Sequence, residues 1–305
     1  MTATNPVTRN MPEYVISRIL ADGVDRRKVK ADAASLISFS QHLDNEVQQQ
    51  YSVKTQGGDF FIKRWPCSEQ ALERASAETE GLLRILTTNS VSTALPLYYG
   101  DDGESIYLVL KHLPLAVHGD WKLAGRQIAE MHSSTTSKGY GYDSVTFCGD
   151  TRLDNSWNAS WTDFYLTQRL QPLLRMLNER GDLIGYEDKV LSAAERRLNG
   201  HQPAASLLHG DLWSGNIGFI PDTVSSRPVI FDPGCFYGDA ETDLAMTELF
   251  GRFPQAFYTG YQEVREVAEE YTERRAVYQL FHLLNHAVLF GGHYLIQSRD
   301  AIARM

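Results

Sequence analysis

Residues 207–239 read LLHGDLWSGNIGFIPDTVSSRPVIFDPGCFYGD, and how this stretch is parsed decides the fold. Three apolar runs, SLLHGD, NIGFI and PVIFD, alternate with turn-rich segments, which predicts a strand, a loop and a hairpin. Asp211 follows the first run, Asn216 comes five residues later and opens the second, and Asp232 closes the third. On both sides the period becomes helical. Upstream, Asp120 can cap WKLAGRQIAEMH, while TDFYLTQRLQPLLRML and EDKVLSAAERRL are amphipathic, the last stopped by Gly200. Downstream, VYQLFHLLNHAVLFGGHYL reads as a helix buried over most of its surface.

Toward the N-terminus the chain turns strand-rich. Pro12 can open a helix whose Val15, Ile16, Ile19 and Leu20 share one face. ASLISFS, EVQQQYSV and DFFIKRW are short extended runs, with Gly57-Gly58 as the turn between the last two. Ser68 can cap SEQALERASAETEGLLRIL, and Asp101-Asp102-Gly103 joins LPLYYG to SIYLVLKHL as a hairpin. The expected fold class is α+β with two lobes. A small antiparallel sheet with one inserted helix occupies residues 12–113, and a larger, mainly helical lobe occupies 114–305. Residues 1–11 lack the charged and apolar regions of a signal peptide and read as a flexible tail.

A length of 305 residues suits two lobes of about 100–200 residues each. The 43% hydrophobic and 22% charged content is ordinary for a globular chain. A net charge of −9 argues against a nucleic-acid partner, which calls for a basic surface, but leaves room for a local basic pocket. No run of about 18 apolar residues suggests a membrane partner. Cys67, Cys148 and Cys235 are an odd set without close spacing, so a zinc knuckle is excluded and a reducing, cytoplasmic setting is expected.

An acid, an amide five residues on, and a second acid after a hairpin is the spacing of phosphoryl-transfer sites of the protein-kinase type. The chemistry needs a hydroxyl nucleophile held in line and Mg²⁺ bridging the phosphate oxygens. Asp211 is placed to take the hydroxyl proton, and Asn216 and Asp232 to offer hard oxygen ligands to the metal. Singly, each has a plainer role in turn or cap chemistry. Their joint placement after predicted strands favours the catalytic one.

HGDLWSGN, followed by VIFDPGCFYGDAETDLAM and YQLFHLLNHAVLFGG, resembles the fructosamine kinase (ketosamine-3-kinase) family, within the wider group of aminoglycoside phosphotransferases and choline kinases. The resemblance runs from about residue 12 to about 297, and the Trp-Ser-Gly insert between Asp211 and Asn216 is its most specific part. It implies a bilobal protein-kinase-like fold and ATP-dependent phosphorylation of the sugar 3-hydroxyl of ketosamines. In that family the chemistry is deglycation, because the 3-phosphate makes the adduct eliminate.

The resemblance also implies a nucleotide clamp in the front lobe. Lys63 would pair with ATP phosphates and with Glu78 on the following helix, Glu80 being the other choice. Asp44-Asn45 stands where the family usually carries two glycines in its phosphate loop. Both residues tolerate left-handed backbone, so the turn is expected to survive, though Asp44 brings a negative charge toward the phosphates. Backbone groups of Leu110, Lys111, His112 and Leu113 would bind the adenine edge. Some relatives carry a cysteine in the phosphate loop that permits disulfide-linked dimers; SQHLDNEVQQQY has none, so a monomer or weak dimer is expected.

The remaining candidates each carry two readings. His209 would orient the catalytic loop near Asp232. Trp213 is either a stacking platform for a sugar or amine or a core tryptophan. Asp239 and Asp243 either cap and anchor a helix start or, for Asp239, face a substrate amine. His282 and His286, four apart, read as a buried hydrogen-bonded pair rather than metal ligands, and Cys235 as inert packing. Two other functions stay open: a kinase for an aminoglycoside, choline-like or sugar acceptor, and a nucleotide-binding scaffold with little turnover.

Overall fold

The computed structural model describes residues 12–222 and 226–305, so the tail predicted over 1–11 lies outside the described residues. The chain divides into two compact units. The first runs to Leu83 and resumes over Ala94–Pro114; the second takes Arg84–Thr93 and Leu115–Met305.

The first unit is built on one sheet. Helix α1 (Pro12–Asp25) is followed by β1 (Leu36–Asp44), β2 (Gln49–Thr55), β3 (Gly58–Pro66) and helix α2 (Glu69–Thr87). The short β4 (Ser92–Thr93) belongs to the second unit, and β5 (Pro96–Asp101) and β6 (Ser105–Lys111) return to the first. The sheet order is β1-β2-β3-β6-β5, with every neighbouring pair antiparallel. The period-2 alternation of β3 and β6 splits the apolar side chains between two cores. Phe60, Ile62, Tyr107 and Val109 pack with Val15, Ile16, Ile19 and Leu20 of α1. Trp65, Ile106, Leu108 and Leu110 pack with Ala71, Ala75 and Leu82 of α2. That alternation puts Lys63 on the α2 face. Ser68 Oγ caps α2 by accepting the Ala71 N–H at 3.1 Å, and Asp102 Oδ1 closes the β5–β6 turn by accepting the N–H groups of Glu104 and Ser105.

The second unit is mainly helical, with short sheets set into it. It contains α3 (Trp121–His132), β7 (Thr146–Cys148), β8 (Thr151–Leu153), α4 (Trp161–Tyr165), α5 (Gln171–Glu179) and α6 (Glu187–Leu198). Then follow β9 (Ser206–Leu208), β10 (Ile217–Ile220), β11 (Arg227–Ile230), β12 (Phe236–Gly238), α7 (Glu241–Thr247), α8 (Gln255–Gln262), α9 (Tyr271–Phe290) and α10 (Gly292–Ala303). Strands β10 and β11 form a hairpin, β4 adds to it in parallel, and β9 pairs with β12. Helix α9 is buried along most of its length and packs on α5, α6, α7 and α10. Its Tyr278 sits among Trp161, Tyr165 and Phe281 in the aromatic core.

The segment 162–177, read above as one helix, is interrupted. Residues Leu166–Leu170 form a π-helical turn between α4 and α5. Pro172 has no N–H to give the Gln168 carbonyl, and the buried Arg169 Nη1 donates to that carbonyl instead, at 3.0 Å. The guanidinium lies between the rings of Phe164 and Phe236, at 4.6 and 4.2 Å from their centroids. Strands β7 and β8 and helix α8 carry too few patterned residues to have been predicted.

Candidate active site

The loop after β9 is tied down from several directions. His209 is fully buried. Burial depresses its pKa, so the ring is neutral, with one nitrogen to donate and one to accept. Nε2 donates to the Phe231 carbonyl at 2.9 Å, and Nδ1 accepts the Asp211 N–H at 3.3 Å. The N–H groups of His209 and Gly210 donate to Asp243 Oδ2 and Oδ1 at 2.7 and 2.9 Å. His132 Nε2 reaches the same carboxylate at 3.0 Å. Asp243 therefore does more than start its own helix, the role expected from the sequence: it holds the backbone just before Asp211. Burial works to raise its pKa, but the hydrogen bonds from His132 and from the His209 N–H outweigh that and leave it below the ordinary value. Gly210 has φ +83°, and a side chain there would collide with the Gly234 carbonyl.

Asn216 is fixed to this loop and to the hairpin at once. Its Nδ2 donates to the Asp211 carbonyl at 2.8 Å and to Asp211 Oδ2 at 3.2 Å, while its own carbonyl accepts the Phe231 N–H at 3.1 Å. The Ile217–Ile230 pairing thus ends with Asn216 opposite Phe231, one residue from Asp232. Asp232 has φ +59°, a left-handed conformation that costs a non-glycine residue about 1–2 kcal/mol. The Asp211 carboxyl is pushed up to about 7, first by burial and next by the charge of Asp232, with the Asn216 hydrogen bond opposing. The carboxylates of Asp211 and Asp232 and the side-chain oxygen of Asn216 are hard donors of the kind that fits a divalent cation such as Mg²⁺.

Trp213 is half-buried and lies outside the core. Its indole folds back over Gly215, where any side chain would strike the ring. Asp239 is buried, and its carboxylate accepts from His201 Nε2 at 2.7 Å, the Tyr278 hydroxyl at 2.6 Å and the Glu241 N–H at 3.0 Å. Those bonds spend the oxygens on internal partners. His286 Nδ1 donates to the His282 carbonyl at 2.8 Å, so the two histidines are joined ring to backbone and not ring to ring. All three cysteines are free thiols, Cys67 exposed and the other two buried.

In the first unit, Lys63 Nζ meets Glu78 Oε1 at 2.7 Å, and both side chains are buried. The β1–β2 turn differs from its expected form. Neither Asp44 nor Asn45 has positive φ. Asn45 Oδ1 instead accepts the N–H groups of Val47 and Gln48 at 2.9 and 2.8 Å, so a side chain shapes the turn in place of left-handed backbone. Asp44 ends β1, exposed, and accepts from Gln49 Nε2 at 2.8 Å. The Lys111 and His112 N–H groups donate to the carbonyls of Leu95 and Asp59 at 2.9 and 3.1 Å, which spends those two amides within the unit. Leu113 follows them, half-buried.

The sequence model of the fructosamine kinase family matches residues 28–305. The chain belongs to this family. The "Probable ketoamine kinase" of Escherichia coli strain K12 is 36% identical over 264 residues, covering 85% of this chain and 90% of that protein. The crystal structure of the "Putative fructosamine-3-kinase" of Haemophilus somnus 129PT superposes with a TM-score of 0.84 at 26% identity, covering 95% and 96% of the two chains. The choline kinase of Streptococcus pneumoniae shares the fold alone, with a TM-score of 0.63 at 14% identity over 95% and 100%. The fructosamine kinase fold of this chain is therefore protein-kinase-like, and the enzyme is a phosphotransferase acting on a hydroxyl group. Among the described residues no helix is long and apolar enough to cross a membrane.

Sequence reasoning missed two neighbours of Asp211 in this family member. Cys148 ends β7 and His282 lies midway along α9, and both come close to the Asp211 carboxylate. Burial, and next the Asp211 charge, push the Cys148 thiol well above its ordinary pKa. No local motif marks Cys148, and the His282–His286 spacing, which does form the expected hydrogen-bonded pair, carries no sign of Asp211.

Proposed function

We propose that the enzyme transfers the γ-phosphoryl group of ATP to the sugar 3-hydroxyl of ketosamines, fructosamine or ribulosamine adducts of amines, and that its role is deglycation in the cytoplasm. The observation that carries this reading is the Asp211–Asn216–Asp232 cluster: a carboxylate held by an amide and raised by a second carboxylate. Asp211 acts as the base. Asn216 Nδ2 holds Asp211 Oδ2 and the backbone behind it, so the accepting oxygen needs no reorganisation when the substrate hydroxyl gives up its proton. His209 and Asp243 keep that loop from moving.

Asn216 and Asp232 would hold Mg²⁺, which supplies charge neutralisation at the phosphate oxygens and lowers the cost of keeping Asp211 ionised. Lys63, fixed by Glu78, pairs with ATP phosphates, and the β1–β2 turn at Asp44 and Asn45 covers them. The amides of Lys111 and His112 are engaged elsewhere, so the adenine edge finds its donor at Leu113 and its acceptors among the carbonyls of this segment. Trp213 gives a half-exposed ring on which a sugar or its amine carrier can stack.

The test is Mg²⁺-dependent ADP release with fructosyl-lysine and ribulosyl-lysine beside choline, an aminoglycoside and free ribose. Turnover confined to the two ketosamines, with phosphorus–proton NMR placing the phosphate on the 3-hydroxyl, is the expected result. Turnover confined to another acceptor would keep the kinase and discard the deglycation role.

A further inference from the structure

Asn216 holds Oδ2 of Asp211, whereas Oδ1 faces other company. The Cys148 sulfur, a carboxylate oxygen of Asp211 and a ring nitrogen of His282 all lie within 4.8 Å of one another. His282 Nδ1 is 3.9 Å from Asp211 Oδ1, too far for a hydrogen bond. Both atoms are buried, the His282 side chain only 4% exposed, and apart from the weak thiol donor of Cys148 beside the Asp211 carboxyl neither has a hydrogen-bond partner among the described residues. Two buried polar atoms that face one another beyond hydrogen-bond distance are costly, and a cation between them removes that cost.

The three donors come from β7, the loop after β9 and α9. Asn285, one turn after His282 on α9, donates to the Cys148 carbonyl at 3.1 Å and locks two of the three together. Thiolate, imidazole and carboxylate suit zinc, whereas the oxygen donors of Asn216 and Asp232 suit magnesium. Zinc–ligand bonds of about 2.0–2.3 Å give tetrahedral edges of about 3.3–3.6 Å, so the 3.9 Å between His282 and Asp211 must close by about half an ångström and no pair by more than about 1.5 Å. One thiolate and one carboxylate cancel the charge of the ion, which leaves the filled site neutral in its buried setting. Three protein ligands leave a fourth position for water.

We propose that Cys148, Asp211 and His282 form a Zn²⁺ site and that its occupation stops phosphoryl transfer. Binding forms the zinc–sulfur bond as the Cys148 proton leaves to solvent; nothing is oxidised or reduced. The site rests on the geometry, whereas the inhibition rests on the reading of Asp211 as base, because zinc on one carboxylate oxygen sharply lowers the basicity of the group that accepts the substrate proton.

The full chain, stripped with a chelator, is titrated with Co²⁺ as a spectroscopic probe. The expected result is a thiolate-to-cobalt absorption band that saturates at one equivalent and is displaced by Zn²⁺. It disappears in Cys148→Ser and weakens at least tenfold in affinity in His282→Gln. Zinc-edge X-ray absorption of the wild type, which needs no variant to fold, should show one sulfur neighbour among nitrogen and oxygen. Absence of the band, its survival in Cys148→Ser, or a zinc shell without sulfur would overturn the site. In turnover assays at buffered free Zn²⁺, both variants should resist inhibition at least tenfold better than the wild type. A confirmed site whose occupation left turnover unchanged would establish the metal site and overturn the role given to Asp211.

Discussion

The loop around Asp211 and the turn around Asn45 are both short connections, yet they are fixed in opposite ways. Residues 209–216 are held by buried partners from other elements: Asp243 of α7 on two amides, the Phe231 carbonyl on a histidine ring, and the Gly234 N–H on the His209 carbonyl. Residues 45–48 are exposed or half-exposed and shaped by one of their own side chains. Buried, externally held loops open rarely, while exposed turns with few apolar contacts open at little cost. The contrast suits the division of labour proposed for them, because a base must be preorganised to be effective, whereas a loop over phosphates must let nucleotide in and out.

Removing the proposed metal ligand is the harshest way to break the rigid side of this contrast. Asp232→Ala should lower Mg²⁺-dependent ADP release by about 10³-fold or more. It should also bring the Asp211 carboxyl down from about 7, since the charge of Asp232 helps hold it there; a proton titration of Asp211 by NMR checks the sign.

Asp243→Asn strikes the anchor without touching the reacting groups. One of its atoms turns from acceptor to donor against buried N–H groups, which should destabilise the fold by about 3 kcal/mol in denaturant unfolding. The folded-state pKa of Asp243 is depressed, so its contribution is fully present above the ordinary carboxylate value and lost as pH falls through the folded value. The stability gap between wild type and variant should therefore be full at neutral pH and shrink in acid.

Lys63→Met separates function from stability in the first unit. Alone it removes the buried cation that Glu78 meets and should cost about 3 kcal/mol along with about 10²-fold in turnover. Lys63→Met combined with Glu78→Leu should regain most of the stability in thermal unfolding and none of the turnover.

Asn45→Gly should have the smallest effect and sharpen the comparison most. It releases the Val47 and Gln48 amides for phosphate, so the KM for ATP should fall several-fold, at a stability cost of about 0.5–1 kcal/mol. An unchanged KM would mean that these amides do not meet the nucleotide.

What the sequence made legible is what lies close together along the chain. The strand, loop and hairpin of 206–232, the caps at Ser68 and Asp120, and the turn at Asp101–Gly103 are each written within a few residues. The alternation that turns Lys63 toward α2 is equally local. Contacts that close over long distances stayed hidden. Asp243 lies more than thirty residues from the amides it holds, and Cys148 and His282 reach Asp211 from opposite directions along the chain with no shared spacing. The π-helical turn hid for a different reason: an amphipathic pattern survives one extra residue per turn, and only Pro172 marked the place. Asn45 was recognised as a turn residue, but its side chain took the task assigned to its backbone.

The most direct test is Asp211→Ala, assayed for Mg²⁺-dependent ADP release with fructosyl-lysine and, in parallel, for ATP binding by calorimetry. The account predicts turnover lowered by about 10²–10⁴-fold with ATP affinity kept within a few-fold of wild type. Near wild-type turnover in that variant would contradict the base assignment and, with it, the reading of the Asp211–Asn216–Asp232 cluster as the phosphoryl-transfer site.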